Sequence, residues 1–376
     1  KKYLNKKPKP MVRLNKIYFL QYLINIFSKY PLNKIFILVG YKSDIIFKNF
    51  HNKTFNFTKV ICIKEKKLMG TGGALLSLKK KKIKDFILTN GDTIFDINLT
   101  ELLKSFNKKK LGCVALAPNN KNTNNYKLNN LGIKNNVLCY KKNSKLMNGG
   151  IYFFKKEILN KIPNKPCSLE EDILPNIIKS KMLAAKIFKN FFLDIGTPKY
   201  FEISSNKLKK YFFRPAVFLD RDGVINHDRG YVYKKNDFKF RKGVIKGLKY
   251  LTKKNYYIFI VTNQAGIAKG MYSEDDFKKL HLYLKTTLSN QNIYINDVQY
   301  CPYHPKGKIK MYRKKTFLRK PGNQMIINIF NKWLINKRKS FMIGDKESDK
   351  NCAKKSNLLF AYAKDNFFTQ IKNNLK

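Results

Sequence analysis

Asp220 and Asp222 close the apolar run Ala216–Leu219 and are followed at once by Gly223; no other stretch constrains this chain so much. An apolar run of that length and composition predicts a buried strand of a parallel sheet. At a strand end, residues i and i+2 point to the same side, so both carboxylates can share one pocket. Open α/β sheets place their chemistry at the carboxyl ends of strands. Two acids that close repel each other, and the pair implies a cation or a proton between them. The alternative is an Asp-x-Asp-Gly turn that merely caps the next element, and the stretch alone leaves both open.

Three later segments carry matching polar groups. Tyr257–Val261 leads into Thr262-Asn263-Gln264. There a hydroxyl can donate to a phosphoryl oxygen and an amide can orient it, or the three residues cap the following helix. Arg319-Lys320-Pro321 follows a basic loop, as a phosphate clamp or a solvated charge run. Phe341–Ile343 ends in Gly344-Asp345-Lys346-Glu347-Ser348-Asp349. Helices are predicted over 242–253, from Ser273 onward, and over 323–336.

Taken in order, Asp-x-Asp, Thr-Asn, Lys and Gly-Asp-x-x-x-Asp resemble the haloacid dehalogenase-like phosphatases, over residues 216 to about 363. The resemblance implies that Asp220 attacks phosphorus and becomes an aspartyl phosphate, with Asp222 as general acid and base. It implies that Thr262 and Lys320 stabilise the equatorial oxygens, and that Asp349 orients Lys320 or the metal shell. Mg²⁺ would be held by Asp220, the Asp222 carbonyl and Asp345. Within the superfamily, Asp-Arg-Asp-Gly-Val-Ile-Asn, Gly230-Tyr231-Val232, Thr262-Asn263-Gln264 and Arg319-Lys320-Pro321 are similar to the heptose-bisphosphate phosphatase and histidinol-phosphatase branch. That likeness implies substrate contacts from Asp228, Arg229, Gly230, Tyr231, Asn263, Gln264, Arg319 and Lys346. Many members carry a Zn²⁺ clip. Here Cys301-Pro302-Tyr303-His304-Pro305 and Thr316-Phe317-Leu318 replace three of the four ligand positions, so no structural zinc is expected. The loop from Tyr303 to Leu318 must then be held by packing or stay mobile.

At 376 residues the chain is too long for one ordinary domain and fits two. The basic approach Asn206–Lys210 and the helix-breaking Arg214-Pro215 place a linker at 208–215, between units 1–207 and 216–376. Ahead of it, a dense apolar pattern predicts a mostly buried helix over 12–28, ended by Pro31. Strands are predicted at 34–40, 60–63, 86–89, 113–117, 137–140, 151–154 and 183–188, with helices at 99–106 and 168–178. The run 119–130, almost all Asn and Lys, is expected to be a solvated loop. The fold class that follows is α/β, two doubly wound domains in series.

Signals in the first unit also sit at strand ends. Met69-Gly70-Thr71-Gly72-Gly73 is a turn that brings backbone N–H groups toward an anion, or simply a tight loop. Asp92 and Asp194 end separate strands and could hold one Mg²⁺ between them and a polyphosphate; each alone reads rather as a turn aspartate. With Pro8-Lys9-Pro10-Met11, Asn148-Gly149-Gly150, Ser168-Leu169-Glu170 and Asp194-Ile195-Gly196-Thr197-Pro198, these motifs resemble the sugar-1-phosphate nucleotidyltransferases over residues 5 to 205. The heptose-1-phosphate guanylyltransferase branch is similar. The likeness implies that Lys9 meets nucleotide phosphate, that Gly70 and Gly72 line the nucleotide-sugar site, that Asp92 and Asp194 bind the metal, and that Gly149 and Glu170 contact the sugar. That family opens with a strand and a Gly-Gly-x-Gly-Thr-Arg loop, and this sequence begins at Lys1, past the loop. The polypeptide is therefore not expected to transfer a nucleotide by itself.

The net charge of +54 would suit a nucleic acid, but its excess is lysine dispersed among asparagines, with little arginine. Solvated faces are expected rather than a nucleic-acid interface, and the charge should draw anionic substrates. Six cysteines without a C-x-x-C pair predict reduced thiols of a cytoplasmic protein. No apolar run reaches membrane-spanning length, so no membrane partner is expected. The partners implied are a sugar phosphate and a nucleoside triphosphate. Together the two resemblances imply a bifunctional enzyme of nucleotide-activated heptose synthesis. Histidinol phosphate or another small phosphomonoester, with a first unit that only binds nucleotide-sugar, is the alternative.

Overall fold

The computed structural model describes residues 8–119, 130–195 and 201–375, the side chains of residues 201 and 202 aside. Residues 120–129 of the expected Asn-rich loop, and Gly196-Thr197-Pro198, lie outside the described residues. Both units are α/β. The second is built on five parallel strands in the order Asp297–Cys301, Tyr257–Asn263, Ala216–Leu219, Phe341–Gly344, Leu359–Tyr362. Ala216–Leu219 is the central strand and every residue of it is buried, which is why it reads as a continuous apolar run. Glu274–Ser289 packs alongside as a helix whose start is fixed reciprocally by Ser273 and Asp276.

The first unit is more mixed than a doubly wound plan implies. A six-stranded sheet runs Phe86–Thr89, Leu146–Phe154, Gly112–Pro118, Leu183–Ile187, Val137–Tyr140, Leu131–Lys134. Only its Leu183–Ile187/Gly112–Pro118 pairing is parallel. A separate sheet joins Lys34–Val39 in parallel to Thr58–Lys64, which turns back on Thr54–Phe55. Strands form at all seven of the expected places, since apolar content marks a strand whichever way its neighbour runs.

Two helix predictions are corrected. Residues 12–28 are not one helix: Arg13–Leu14 and Ile17–Tyr18 form a small hairpin, and the helix is Phe19–Ser28. Asn15 and Lys16 both take positive φ, 52° and 70°, and that reversal stops a helix from starting earlier. The helix expected over 323–336 ends at Phe330. Beyond it the chain turns so that Trp333 packs edge-on against Tyr257 and Phe259. The Lys332 carbonyl accepts a hydrogen bond from Asn25 of the first unit. The predicted linker is helical up to Phe212: Phe201–Phe212 buries Leu208 and Phe212.

The units share a tight seam. The buried Lys285 ammonium, on the Glu274–Ser289 helix, donates to the carbonyls of Ser28 at 2.8 Å and Asn56 at 2.9 Å. Tyr30 and Tyr294 pack edge to face across it, with centroids 4.8 Å apart. Burial pushes Lys285 down from 10.5 to about 7, against the pull of Asp297. Between those two values the unfolded chain binds the extra proton, so this group makes stability rise with pH from about 7 upward. A Lys285→Met protein should lose that rise; urea midpoints of parent and variant, compared from about pH 7 to about pH 9, check it.

All six cysteines are free, and no helix among the described residues is long and apolar enough to cross a membrane.

Candidate active site

The second unit gathers its polar strand ends around one cavity of about 420 Å³. Asp220, Asp222, Asp228, Gly230, Tyr231, Thr262, Asn263, Gln264, Arg319, Lys320 and Lys346 all line it. Arg229 does not; it is exposed beside the Asp228 turn. Three parallel strands ending at one edge supply most of these groups, while Arg319 and Lys320 come from the segment ahead of the Gln324–Phe330 helix.

Lys320 is the hub. Its fully buried ammonium lies 2.9 Å from Asp220 and 2.6 Å from Asp349, and donates to the Val261 carbonyl at 2.9 Å. Burial alone would push that ammonium down, but the charges of Asp220 and Asp349 override it and hold it up. Asn263 fixes the Lys320 backbone from both sides, accepting from its N–H at 3.0 Å and donating to its carbonyl at 3.1 Å. Asp349 accepts from the backbone N–H groups of Asp345 and Lys346, so it is held before it meets Lys320. Burial raises the Asp220 carboxyl to about 6; Lys320 opposes that, and the Asp349 and Asp222 charges add to it.

Asp222 is held differently. Arg221 donates to it through Nε and Nη2, Asn226 donates at 2.9 Å, and Gln264 at 3.0 Å. Gln264 Nε2 also donates to the Thr262 hydroxyl at 2.9 Å. The hydroxyl therefore keeps its own proton for an oxygen in the cavity. Arg221 and Asn226 were missed from sequence, although a charged residue between two aspartates was the available signal.

Asp220, Asp345 and Asp349 each offer an oxygen, and all three lie within 4.8 Å of one another. Asp345 Oδ1 is buried with no hydrogen-bond partner, and burial raises that carboxyl. An orphaned carboxylate oxygen beside two further acids fits a hard divalent cation. Gly223, at φ +80°, is required there, because a Cβ would collide with the Asp345 carboxylate. The Asp222 carboxylate is not part of this cluster; it faces Arg221.

The loop that departs from the zinc-clip pattern is anchored by protein groups. Lys314 lies 3.9 Å from the Tyr303 ring centroid, Arg313 donates to the Gly307 carbonyl at 2.6 Å, and Ile309 N–H donates to Ala268.

In the first unit a cavity of about 610 Å³ is lined by Lys9, Thr71, Asn90, Asp92, Gly149 and Glu170 among others. Gly70 and Gly72 are not in its lining: side chains there would strike Cys167 and Leu169, so these glycines serve close packing. Thr71 between them reaches the cavity instead and donates to Glu170 at 2.8 Å. Thr93–Phe95 pairs antiparallel with Phe192–Asp194, Asp194 opposite Thr93, which brings Asp194 next to Asp92. Burial raises the Asp92 carboxyl, Asp194 adds to that, and Lys9 opposes it.

Residues 5–210 match the nucleotidyl transferase family, and residues 217–372 match the polynucleotide kinase 3 phosphatase family. The D-glycero-beta-D-manno-heptose-1,7-bisphosphate 7-phosphatase of Rhodopseudomonas palustris is 43% identical over 141 residues, covering 38% of this chain and 78% of that protein. The protein of the same name from Escherichia coli K12 is 37% identical over 144 residues, covering 38% and 75%. Among solved structures, HddC from Yersinia pseudotuberculosis complexed with GMP-PN aligns at 26% identity over 54% of this chain and 91% of that one, with a TM-score of 0.45.

Proposed function

Because the chain belongs to the nucleotidyl transferase family through residues 5–210 and to the heptose-bisphosphate phosphatase family through its other unit, we propose that both units act on one sugar. The phosphatase unit removes one phosphate from D-glycero-D-manno-heptose 1,7-bisphosphate. The nucleotidyl transferase unit takes up the heptose 1-phosphate that results, together with a nucleoside triphosphate. We divide the chain at 208–215, which the two family matches support. The free thiols support a reducing compartment, and we place the enzyme in the cytoplasm.

One observation carries the phosphatase assignment: Asp220, Asp222, Thr262 and Lys320 line a single cavity. The Asp220 carboxylate attacks phosphorus, and the leaving sugar oxygen takes a proton from Asp222. Asp222 then deprotonates the water that releases phosphate. Lys320 and the Thr262 hydroxyl meet the equatorial oxygens as charge builds on them. Arg319, Lys346 and the Asp228–Tyr231 turn orient the rest of the substrate. Asp220 and Asp345, with Asp349 behind them, would hold Mg²⁺, which when bound screens the nucleophile from the anionic phosphate.

Purified protein is to be assayed for phosphate release from a panel that includes the heptose bisphosphate and histidinol phosphate. Preference for histidinol phosphate would sink the heptose assignment. Chelation should abolish release and added Mg²⁺ should restore it; turnover that survives exhaustive chelation would remove the cation from the site. In the other cavity, calorimetry with GTP and Mg²⁺ should show binding, and Asp92→Asn should weaken it.

A further inference from the structure

The Thr54–Phe55 and Thr58–Lys64 strands are joined through Asn56 and Phe57, both in the left-handed region at φ 45° and 64°. Asparagine accepts that conformation readily; a bulky aromatic residue does so only where its surroundings over-determine it. Here the surroundings belong to the other unit. Asn56 is buried and donates to the Ile295 carbonyl at 2.9 Å, while its own carbonyl accepts from Lys285. The Phe57 ring lies among Phe277, His281 and Tyr300, with centroids 5.9, 5.3 and 6.0 Å away.

This aromatic group backs onto the phosphatase site. Phe277 is fully buried, and its ring centroid is 5.4 Å from the guanidinium carbon of Arg221. Arg221 is itself fully buried and holds Asp222 and the Val232 carbonyl, yet its Nη1 has no hydrogen-bond partner. Hydrogen bonds fix one edge of this guanidinium; packing against Phe277 must fix the other. His281, buried with both ring nitrogens unpartnered, packs against both Phe57 and Phe277.

We propose that Phe57, a residue of the nucleotidyl transferase unit, is a positioning residue for the phosphatase unit. It braces Phe277, Phe277 seats Arg221, and Arg221 aims the Asp222 carboxylate. The first unit thus completes the second without contributing to its cavity lining. This inference rests on the phosphatase assignment of Asp220 and Asp222.

The test uses the full chain and phosphate release from the heptose bisphosphate across a pH series. Phe57→Ala should lower kcat about ten-fold, with KM nearly unchanged, because a small misplacement of a proton-transfer group costs rate rather than binding. The pH–rate profile should shift as well, since the partners of Asp222 have moved. Phe57→Leu, which keeps part of the side-chain bulk, should fall between parent and alanine protein, about three-fold below the parent in kcat, and carries the test if the alanine protein does not fold. A folded Phe57→Ala protein with parental kcat and pH profile overturns the inference, as does, where the alanine protein does not fold, a folded Phe57→Leu protein with parental kcat and pH profile. No release by the parent chain overturns the phosphatase assignment itself, and this inference with it.

Discussion

In the Asp220→Asn protein, phosphate release from the sugar bisphosphate falls by at least about 10³-fold in kcat. The amide is nearly isosteric but has no negative charge with which to open a bond to phosphorus. The fold should survive the change. Asp220 is a buried acid already raised to about 6, so exchanging it for a neutral amide removes a charge that burial disfavours. Lys320 keeps Asp349 at 2.6 Å and the Val261 carbonyl at 2.9 Å, so its ammonium is not stranded. Single-turnover release assays, run beside a urea titration, separate the two effects. A variant that turns over at the parental rate would take the nucleophile's role away from Asp220.

Lys320→Ala acts on the same cluster with the opposite consequence for stability. It leaves Asp220 and Asp349 facing each other in the interior without a cation, and breaking a buried pair from one side costs about 3–5 kcal/mol. Phosphate release should also fall, by about 10²-fold or more, because a donor to the equatorial oxygens is gone. The pH dependence gives the diagnosis. The stranded acids would have folded-state pKa values raised above their unfolded ones, so the stability they support is present at low pH and lost as pH rises through those raised values. The deficit relative to the parent should therefore narrow on acidification. A constant deficit from neutral to mildly acid pH would mean that Lys320 matters for its packing and not for its charge.

The phosphatase site was legible because its chemistry is written at strand ends. Asp220, Thr262 and Asp345 each follow an apolar run that could only be a buried strand, and parallel strands deliver their carboxyl ends to one edge. Arg221 was not legible. Its burial makes sense only once Asp222, Val232 and Phe277 surround it, and the latter two are distant in sequence. The mixed order of the first sheet was hidden for a related reason: apolar alternation marks a strand but carries no sign of its neighbour's direction. In residues 12–28 the density of apolar side chains concealed a reversal at Asn15-Lys16, where asparagine was the one local cue. Gly70 and Gly72 show a further limit: a glycine needed for close packing and one needed for a ligand read the same.

The seam has a consequence for substrate traffic. Asn25, Asn56 and Lys285 tie the units through backbone carbonyls, so the two cavity mouths keep a fixed separation instead of drifting on a tether. A sugar monophosphate expelled from one mouth enters a cloud of lysine charge carried on a body of net +54. Its escape into bulk solvent is slowed by that field, most strongly in dilute salt, and its chance of recapture next door rises accordingly.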